Sequence, residues 1–293
     1  MTKAKMLLSM LIFGTIGIFV EMIPLPSSVI ALARSGIGAA LLALVMLAAK
    51  KPLHRDAIRQ NLKFLLPSGA ALGFNWILLF EAYRYTTVAV ATLCYYMAPV
   101  FVILLSPVFL KEALSKKKLL CVAAALAGTA LISGASASAG GGELRGVALG
   151  LCAALLYCAI VLLNRGVKDL PATETTLCQL TVSALVMLPY VLLTQKGAAL
   201  DFSGRTLLLV LLLGFVHTGL AYLLFFGAAA KLPAQTTAVL SYVDPVTAII
   251  LSALLLNQPL RPLQIFGAFL ILGSTLAGDL LTDRPPKPQP IEK

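Results

Sequence analysis

Residues 88–114 read VAVATLCYYMAPVFVILLSPVFLKEAL, and that reading decides the fold. The pattern returns over residues 234–260 as AQTTAVLSYVDPVTAIILSALLLNQPL. Shifted by 146 positions, Tyr96 falls on Tyr242, Pro99 on Pro245, Leu105 on Leu251, Ser106 on Ser252 and Leu114 on Leu260. Both stretches are apolar and long enough to cross a bilayer, and both carry a tyrosine three residues before a mid-span proline. An internal repeat of this length means that one structural unit has been used twice.

Composition places that unit in lipid. The chain has 293 residues, 59% hydrophobic and 12% charged, with mean hydropathy +0.95. Soluble domains carry about 25% charged residues, and a water-soluble fold has no means of hiding this much apolar surface. The net charge of +11 does not indicate nucleic acid, because Lys and Arg gather in short segments between apolar runs, as in membrane proteins. Anionic lipid headgroups account for those basic loops. The cysteines, Cys94, Cys121, Cys152, Cys158 and Cys178, lie inside apolar runs without CxxC spacing, so neither a disulfide framework nor a metal site is indicated and they read as small buried hydrophobes.

Ten spans can be drawn, near 6–23, 28–49, 62–83, 87–109, 117–135, 145–164, 172–194, 206–229, 235–256 and 262–281. The runs are continuously apolar and do not alternate, so they read as helices and not barrel strands. The first, behind MTKAK, lacks a small-residue cleavage site before Glu21 and reads as an uncleaved helix. With the N-terminus inside, seventeen of the 23 Lys and Arg residues fall in cytoplasmic segments and five in external ones. That bias places both termini in the cytoplasm of a multi-pass protein of the cell (inner) membrane.

The organisation expected is a first five-helix repeat over 1–135, an external Gly/Ser-rich linker over 136–145, a second repeat over 146–282 and a disordered cytoplasmic tail over 283–293. The linker has the composition of a flexible connector, and the tail, DRPPKPQPIEK, that of a chain without a core. Because five is odd, the second half enters the membrane from the opposite side. The fold class is therefore an all-α membrane protein, ten transmembrane helices as an inverted repeat (5+5) around a central cavity. Gly73 on Gly219, Trp76 on Tyr222 and Phe80 on Phe226 extend the match. Inverted repeats are a transporter signature, with substrate held near the midplane.

The mid-span polar and aromatic residues are then the substrate-binding candidates: Asn75, Trp76, Tyr95, Tyr96, Tyr157, Tyr222, Tyr242 and Asp244. Trp76 is the sole tryptophan and lies far from either interface, where membrane tryptophans concentrate; it reads either as a stacking wall or as packing. Gly69 and Gly73 on its face admit another helix or a ligand. Pro99 and Pro245 free the carbonyls of Tyr95 and Ser241, and read as hinges or static kinks. Asp244 costs at least about 2.5–3.5 kcal/mol at the bilayer centre if unpaired, so it holds a cation or proton, or pairs with Arg34 or His217. Arg34 reads as structural, paired with Glu21. His217 is a proton-coupling candidate beside Asp244, although a packing role is the commoner one for a lone histidine. Glu81 and Arg84 read as an ion pair at a helix end. There is no GxxxxGK[ST], HExxH or GxSxG, so an ATP-driven pump or a membrane enzyme is not supported, and no cofactor or metal is called for.

The two segments YTTVAVATLCYYMAPVFVILLSPVFLKEALS and PAQTTAVLSYVDPVTAIILSALLLNQPL resemble the EamA-type branch of the drug/metabolite transporter superfamily, over almost the whole chain. Asn257 and Gln258 depart from the pattern, standing where Lys111 and Glu112 stand in the first half. The resemblance implies a ten-helix basket with its cavity formed mainly by the first, third, fourth, sixth, eighth and ninth spans, and secondary transport by alternating access, often export of amino acids or related metabolites. Two other readings remain: a carrier for choline-like or other organic cations, which suits aromatic faces plus one carboxylate, and a non-transporting receptor or scaffold. The expected partners are a small-molecule substrate, the bilayer and a coupling proton, with no nucleic acid. One chain supplies both halves of a pathway, so a dimer is allowed but not required.

Overall fold

A computed structural model describes residues 1–50, 52–109, 115–137, 141–197 and 199–282. The described residues are helical, without strands. The helices are α1 (Thr2–Gly14), α2 (Ile16–Glu21), α3 (Ser27–Ala48), α4 (Arg55–Gln60), α5 (Leu62–Tyr83), α6 (Val88–Tyr95), α7 (Ala98–Phe109), α8 (Lys116–Ala137), α9 (Gly141–Asn164), α10 (Ala172–Thr194), α11 (Gly204–Gly214), α12 (Ala221–Ala229), α13 (Ala234–Ser241), α14 (Val243–Leu255) and α15 (Pro262–Thr282). A π-helix, Phe215–Leu220, joins α11 to α12 without a break.

Nine segments among the described residues are long and apolar enough to cross a membrane. The expected fifth span corresponds to α8, a 22-residue helix. Of the expected linker, residues 136–137 belong to α8 and 141–145 to α9, while 138–140 lie outside the described residues, as does the expected disordered tail, 283–293. Side-chain exposure is that of a protein dissolved in hydrocarbon: Leu193 and Phe269 are 78% and 73% exposed, whereas Ser9, Ser35, Asn75 and Thr218 are fully buried. Helices are the open-ended solution in such a solvent, since each peptide group finds its partner within its own segment.

The helix starts are set locally. Pro26, Pro171 and Pro233 stand at the N-caps of α3, α10 and α13 in extended conformation, where the missing N–H costs nothing. Thr87 caps α6, its hydroxyl oxygen accepting from Val90 N at 3.2 Å, a bond of the ordinary capping type. Asn257, at the end of α14, takes a φ of 53°, a left-handed conformation that asparagine tolerates. This turn brings Gln258 back onto Ser252 Oγ at 3.0 Å and onto Val88 N, at the start of α6, at 3.1 Å. The residues that depart from the first-half pattern thus fasten the second half to the first.

Close helix pairs rest on small residues. A Cβ on Gly69 would meet Val182 at 2.6 Å, and one on Gly73 would meet Ser183 Oγ at 2.8 Å, so these glycines admit α10 and not a ligand. Gly128 in α8 and Gly267 in α15 face each other, a Cβ on either coming within 2.8 Å of the other's carbonyl oxygen. At the basic ends of the helices, Glu174 accepts from His54 N at 3.0 Å and lies 2.7 Å from His54 Nδ1. Asn61 donates to Lys168 O at 2.8 Å and accepts from Lys168 N at 3.1 Å.

Overpacking a filled contact costs roughly 1–3 kcal/mol. Gly128→Val is therefore expected to lower the thermal unfolding midpoint of the detergent-solubilised protein. Gly142→Val, at a glycine with open space around it, serves as control and is expected to leave the midpoint unchanged.

Candidate functional site

Two spans lose their helix at the same place in the repeat. α6 stops at Tyr95 and α7 starts at Ala98, with Tyr96 and Met97 in the turn; α13 stops at Ser241 and α14 starts at Val243, with Tyr242 between. Pro99 and Pro245 lie one turn beyond. The proline ring at 245 cannot donate to the Ser241 carbonyl, and the Tyr96 hydroxyl occupies that position across the halves. It lies 3.4 Å from Ser241 O and 2.8 Å from Asp244 Oδ2, so one proton serves both, with the shorter contact favoured. The rings of Tyr96 and Tyr242 sit 6.0 Å apart, tilted by 55°. Tyr242 in turn donates to Asp279 Oδ2 at 3.1 Å. Each of the two repeat-related tyrosines therefore holds a carboxyl group.

Between the broken spans lies a chamber of about 290 Å³. Ligand pockets run from about 300 to 1,000 Å³, so this one suits a small solute. Trp76, Tyr83, Tyr95, Tyr96, Tyr157, Tyr222 and Tyr242 wall it, with Phe13 from the first span. Tyr95 packs 5.4 Å from Tyr157, and Tyr222 lies edge-on to Phe13 at 5.5 Å and stacks on Phe226 at 5.7 Å. The charge-bearing groups on the wall are Arg34, Asp244 and Asp279. A second cavity, about 180 Å³, continues from it: Ala98, Pro99, Tyr157 and Asp279 border both, and the second reaches Lys118 and Arg165.

Arg34 is 4% exposed. Its guanidinium carbon lies over Trp76, 4.0 Å from the ring centroid, and 5.8 Å from that of Phe80, a cation–π contact. Its Nε donates to Thr218 Oγ1 at 2.8 Å, and the Thr218 hydroxyl donates onward to Leu213 O at 3.2 Å. A guanidinium has five N–H donors. Among the described residues no protein acceptor meets the remaining four, and the side chain lines the chamber. A dry, unmet donor costs about 1–3 kcal/mol, so four together exceed what the tryptophan contact supplies, about 2 kcal/mol when desolvated. The chamber must hold water or a ligand's acceptors.

The structure sorts the residues singled out in the sequence. Trp76, Tyr95, Tyr96, Tyr157, Tyr222, Tyr242, Asp244 and Pro99 all line the chamber. Asn75 does not: it is fully buried behind the wall, donating to Ala153 O at 2.5 Å and accepting from the Tyr95 hydroxyl at 3.3 Å. Its helix face is taken by α9, so it positions Tyr95. Pro245 is buried away from the chamber. His217 is likewise outside it, packed 4.5 Å from Phe19 with its Nε2 2.9 Å from Thr15 Oγ1. Arg34 does not pair with Glu21, because its guanidinium turns inward to Trp76 and Thr218. Asp244 is held by Tyr96, not by direct contact with Arg34 or His217. Glu81 and Arg84 do pair, at 3.7 Å; Glu81 also accepts from Ser27 at 2.8 Å, and Arg84 donates to Leu25 O.

Sequence reasoning missed three features. Asp279 sits near the end of the last span, where a polar residue is unremarked. The first span is interrupted at Thr15, whose hydroxyl donates to Ile12 O at 2.7 Å, a back-bond of the kind that bends helices. The interruption seats Gly14 against α14, where a Cβ would meet the Asp244 carbonyl at 2.7 Å. The third feature is Arg34 itself, for which the signal was present: an arginine within a span marks a functional position by default.

Known proteins resemble this chain in sequence and in fold. The profile of the EamA-like transporter family matches twice, over residues 4–134 and 144–277. An uncharacterized transporter of Bacillus subtilis (strain 168), YxxF, is 32% identical over 249 residues, covering 84% of this chain and 79% of that protein. An uncharacterized transporter of Archaeoglobus fulgidus is 27% identical over 278 residues, covering 94% of each. A solved crystal structure, 19% identical, superposes with TM-score 0.67 over 97% of this chain and 99% of that one, which shows a shared fold.

Asn75→Leu leaves the Tyr95 hydroxyl without its acceptor and the Ala153 carbonyl without its donor, at a cost of about 1–3 kcal/mol. The expected result is a lower unfolding midpoint in detergent, and Tyr95→Phe added to Asn75→Leu is expected to recover part of it. Equal midpoints for all three proteins would contradict the positioning role of Asn75.

Proposed function

This chain belongs to the EamA-like transporter family, and we propose that it is a secondary carrier moving small amino-group-bearing metabolites, amino acids or related amines, out of the cell by alternating access. The observation that carries this reading is the chamber itself, enclosed where two repeat-related spans break and walled by aromatic rings around Asp244. Broken helices around a midplane site are the usual construction of such carriers. Trp76 and the tyrosines provide apolar and π faces for the body of the solute, and Asp244 reads its amino group or takes the coupling proton. Pro99 and Pro245 stand beside the two breaks and act as hinges.

The inverted 5+5 arrangement, with both termini cytoplasmic in the inner membrane, is part of the same proposal. It is supported by the 146-residue repeat and by the double family match. On that orientation the second cavity, reaching Lys118 and Arg165, is the cytoplasmic mouth. The opposite face is closed by Gln258 on Val88 and by the Ser27–Glu81–Arg84–Leu25 group. This is the inward-facing state from which an exporter loads.

A carrier for organic cations is the second reading, favoured by Tyr96, Tyr242 and two carboxyl groups in one small chamber. In reconstituted vesicles, Asp244→Asn and Trp76→Ala should each abolish flux while the protein inserts and folds normally; a scaffold would not notice the loss of Asp244. Thermal shift separates the two carrier readings, because a ligand bound to the folded state raises its stability. Stabilisation by L-amino acids supports the first reading, and stabilisation by choline alone supports the second.

A further inference from the structure

One chamber residue has no part in the reading above. Arg34 is charged, more than nine-tenths buried, aimed into the chamber, and left with four N–H donors that no described residue accepts. Its guanidinium carbon lies over the Trp76 ring. Its Nε edge is taken by Thr218. What remains is the terminal fork, the geometry that receives a carboxylate through two parallel hydrogen bonds.

Thr218 holds that fork by an unusual local device. The wide turn of the π-helix Phe215–Leu220 lets the Thr218 hydroxyl donate to Leu213 O, five residues back. Its proton is thereby committed, and a lone pair is what it offers to Arg34 Nε. Close approach of α3 completes the contact: a Cβ on Gly38 would lie 2.5 Å from Thr218 Cγ2. Such wide turns inside helices recur at functional sites.

We infer that Arg34 is the anion-reading group of the chamber, receiving the solute's carboxylate on its terminal fork, and that Thr218 is the residue that positions it. Resting on the carrier reading above, this narrows the substrate class from amines in general to α-amino carboxylates. The amino end lies toward Asp244 and the carboxylate end toward the π-turn. A permanent cation without an anionic end would leave the fork unmet.

The test pairs each acid with its decarboxylated amine: L-leucine with 3-methylbutylamine, and L-phenylalanine with phenethylamine. Binding to the purified full-length protein is measured by titration calorimetry. The wild type is expected to prefer the acid of a pair by about ten-fold or more, the scale of one charged bidentate contact. Thr218→Val should erase most of that preference by weakening acid binding while leaving amine binding unchanged, and Thr218→Ser should restore it. If Thr218→Val is not recovered folded, Arg34→Lys serves, since it keeps the charge and loses the fork; the preference should again collapse. A wild type that binds acid and amine equally overturns this inference and leaves the carrier reading standing. A Thr218→Val protein that keeps the full preference overturns the positioning role. Binding of neither acids nor amines overturns the amino-group reading and this inference with it.

Discussion

In hydrocarbon, a peptide group that leaves its helix has nowhere to go. That constraint governs this molecule, because its fourth and ninth spans both leave the helix near mid-depth, at Tyr96–Met97 and at Tyr242. Backbone of this kind survives in a membrane only where protein or a water-filled cavity receives it. Here one interruption receives the other. Tyr96 reaches the Ser241 carbonyl that Pro245 abandons, and the space that the breaks leave between them is the chamber. The aromatic wall, the two carboxyl groups held by tyrosines and the continuation toward Lys118 all follow from that one departure from helical regularity.

The chamber is assembled mainly from groups that are braced from behind. Asn75 holds Tyr95 against α9, Thr218 holds Arg34 over Trp76, and Gly14 lets the first span press against the backbone at Asp244. None of Asn75, Thr218 or Gly14 lines the chamber. Placing side chains to within a few tenths of an ångström takes this outer layer, because long side chains on helices are otherwise free to choose among rotamers. Polar residues spread through the interior of a lipid-facing bundle thus serve geometry as much as chemistry.

Much of this was legible in the residues. A tyrosine three positions before a proline, repeated 146 residues on, announced the breaks and most of the wall, because a proline's effect on the preceding turn is local and needs no knowledge of neighbours. What was not legible depended on register. An extra residue in a turn rotates everything beyond it by about 100°, so the π-turn at Phe215–Leu220 moves His217 and Thr218 off the faces that regular helical spacing assigns them. His217 points at Thr15 and Phe19 and not into the chamber. Proximity along the outer face points Arg34 to Glu21 and charge points it to Asp244, whereas its hydrogen-bond partner is Thr218, 184 positions away, which no local pattern encodes. Asp279 is near a helix end, where polar residues are ordinary, and only its meeting with Tyr242 distinguishes it.

The duplicated sequence is not duplicated in its charges. Asp244 stands where the first half has Ala98, and no arginine occurs among residues 175–180, the stretch that answers to Arg34. A solute tumbling inside a perfectly doubled vessel would meet the same surroundings whichever way it pointed. In this one, a guanidinium on α3 and carboxyl groups on α14 and α15 give the vessel a polarity of its own, so a molecule with unlike ends has a preferred heading before any gate moves.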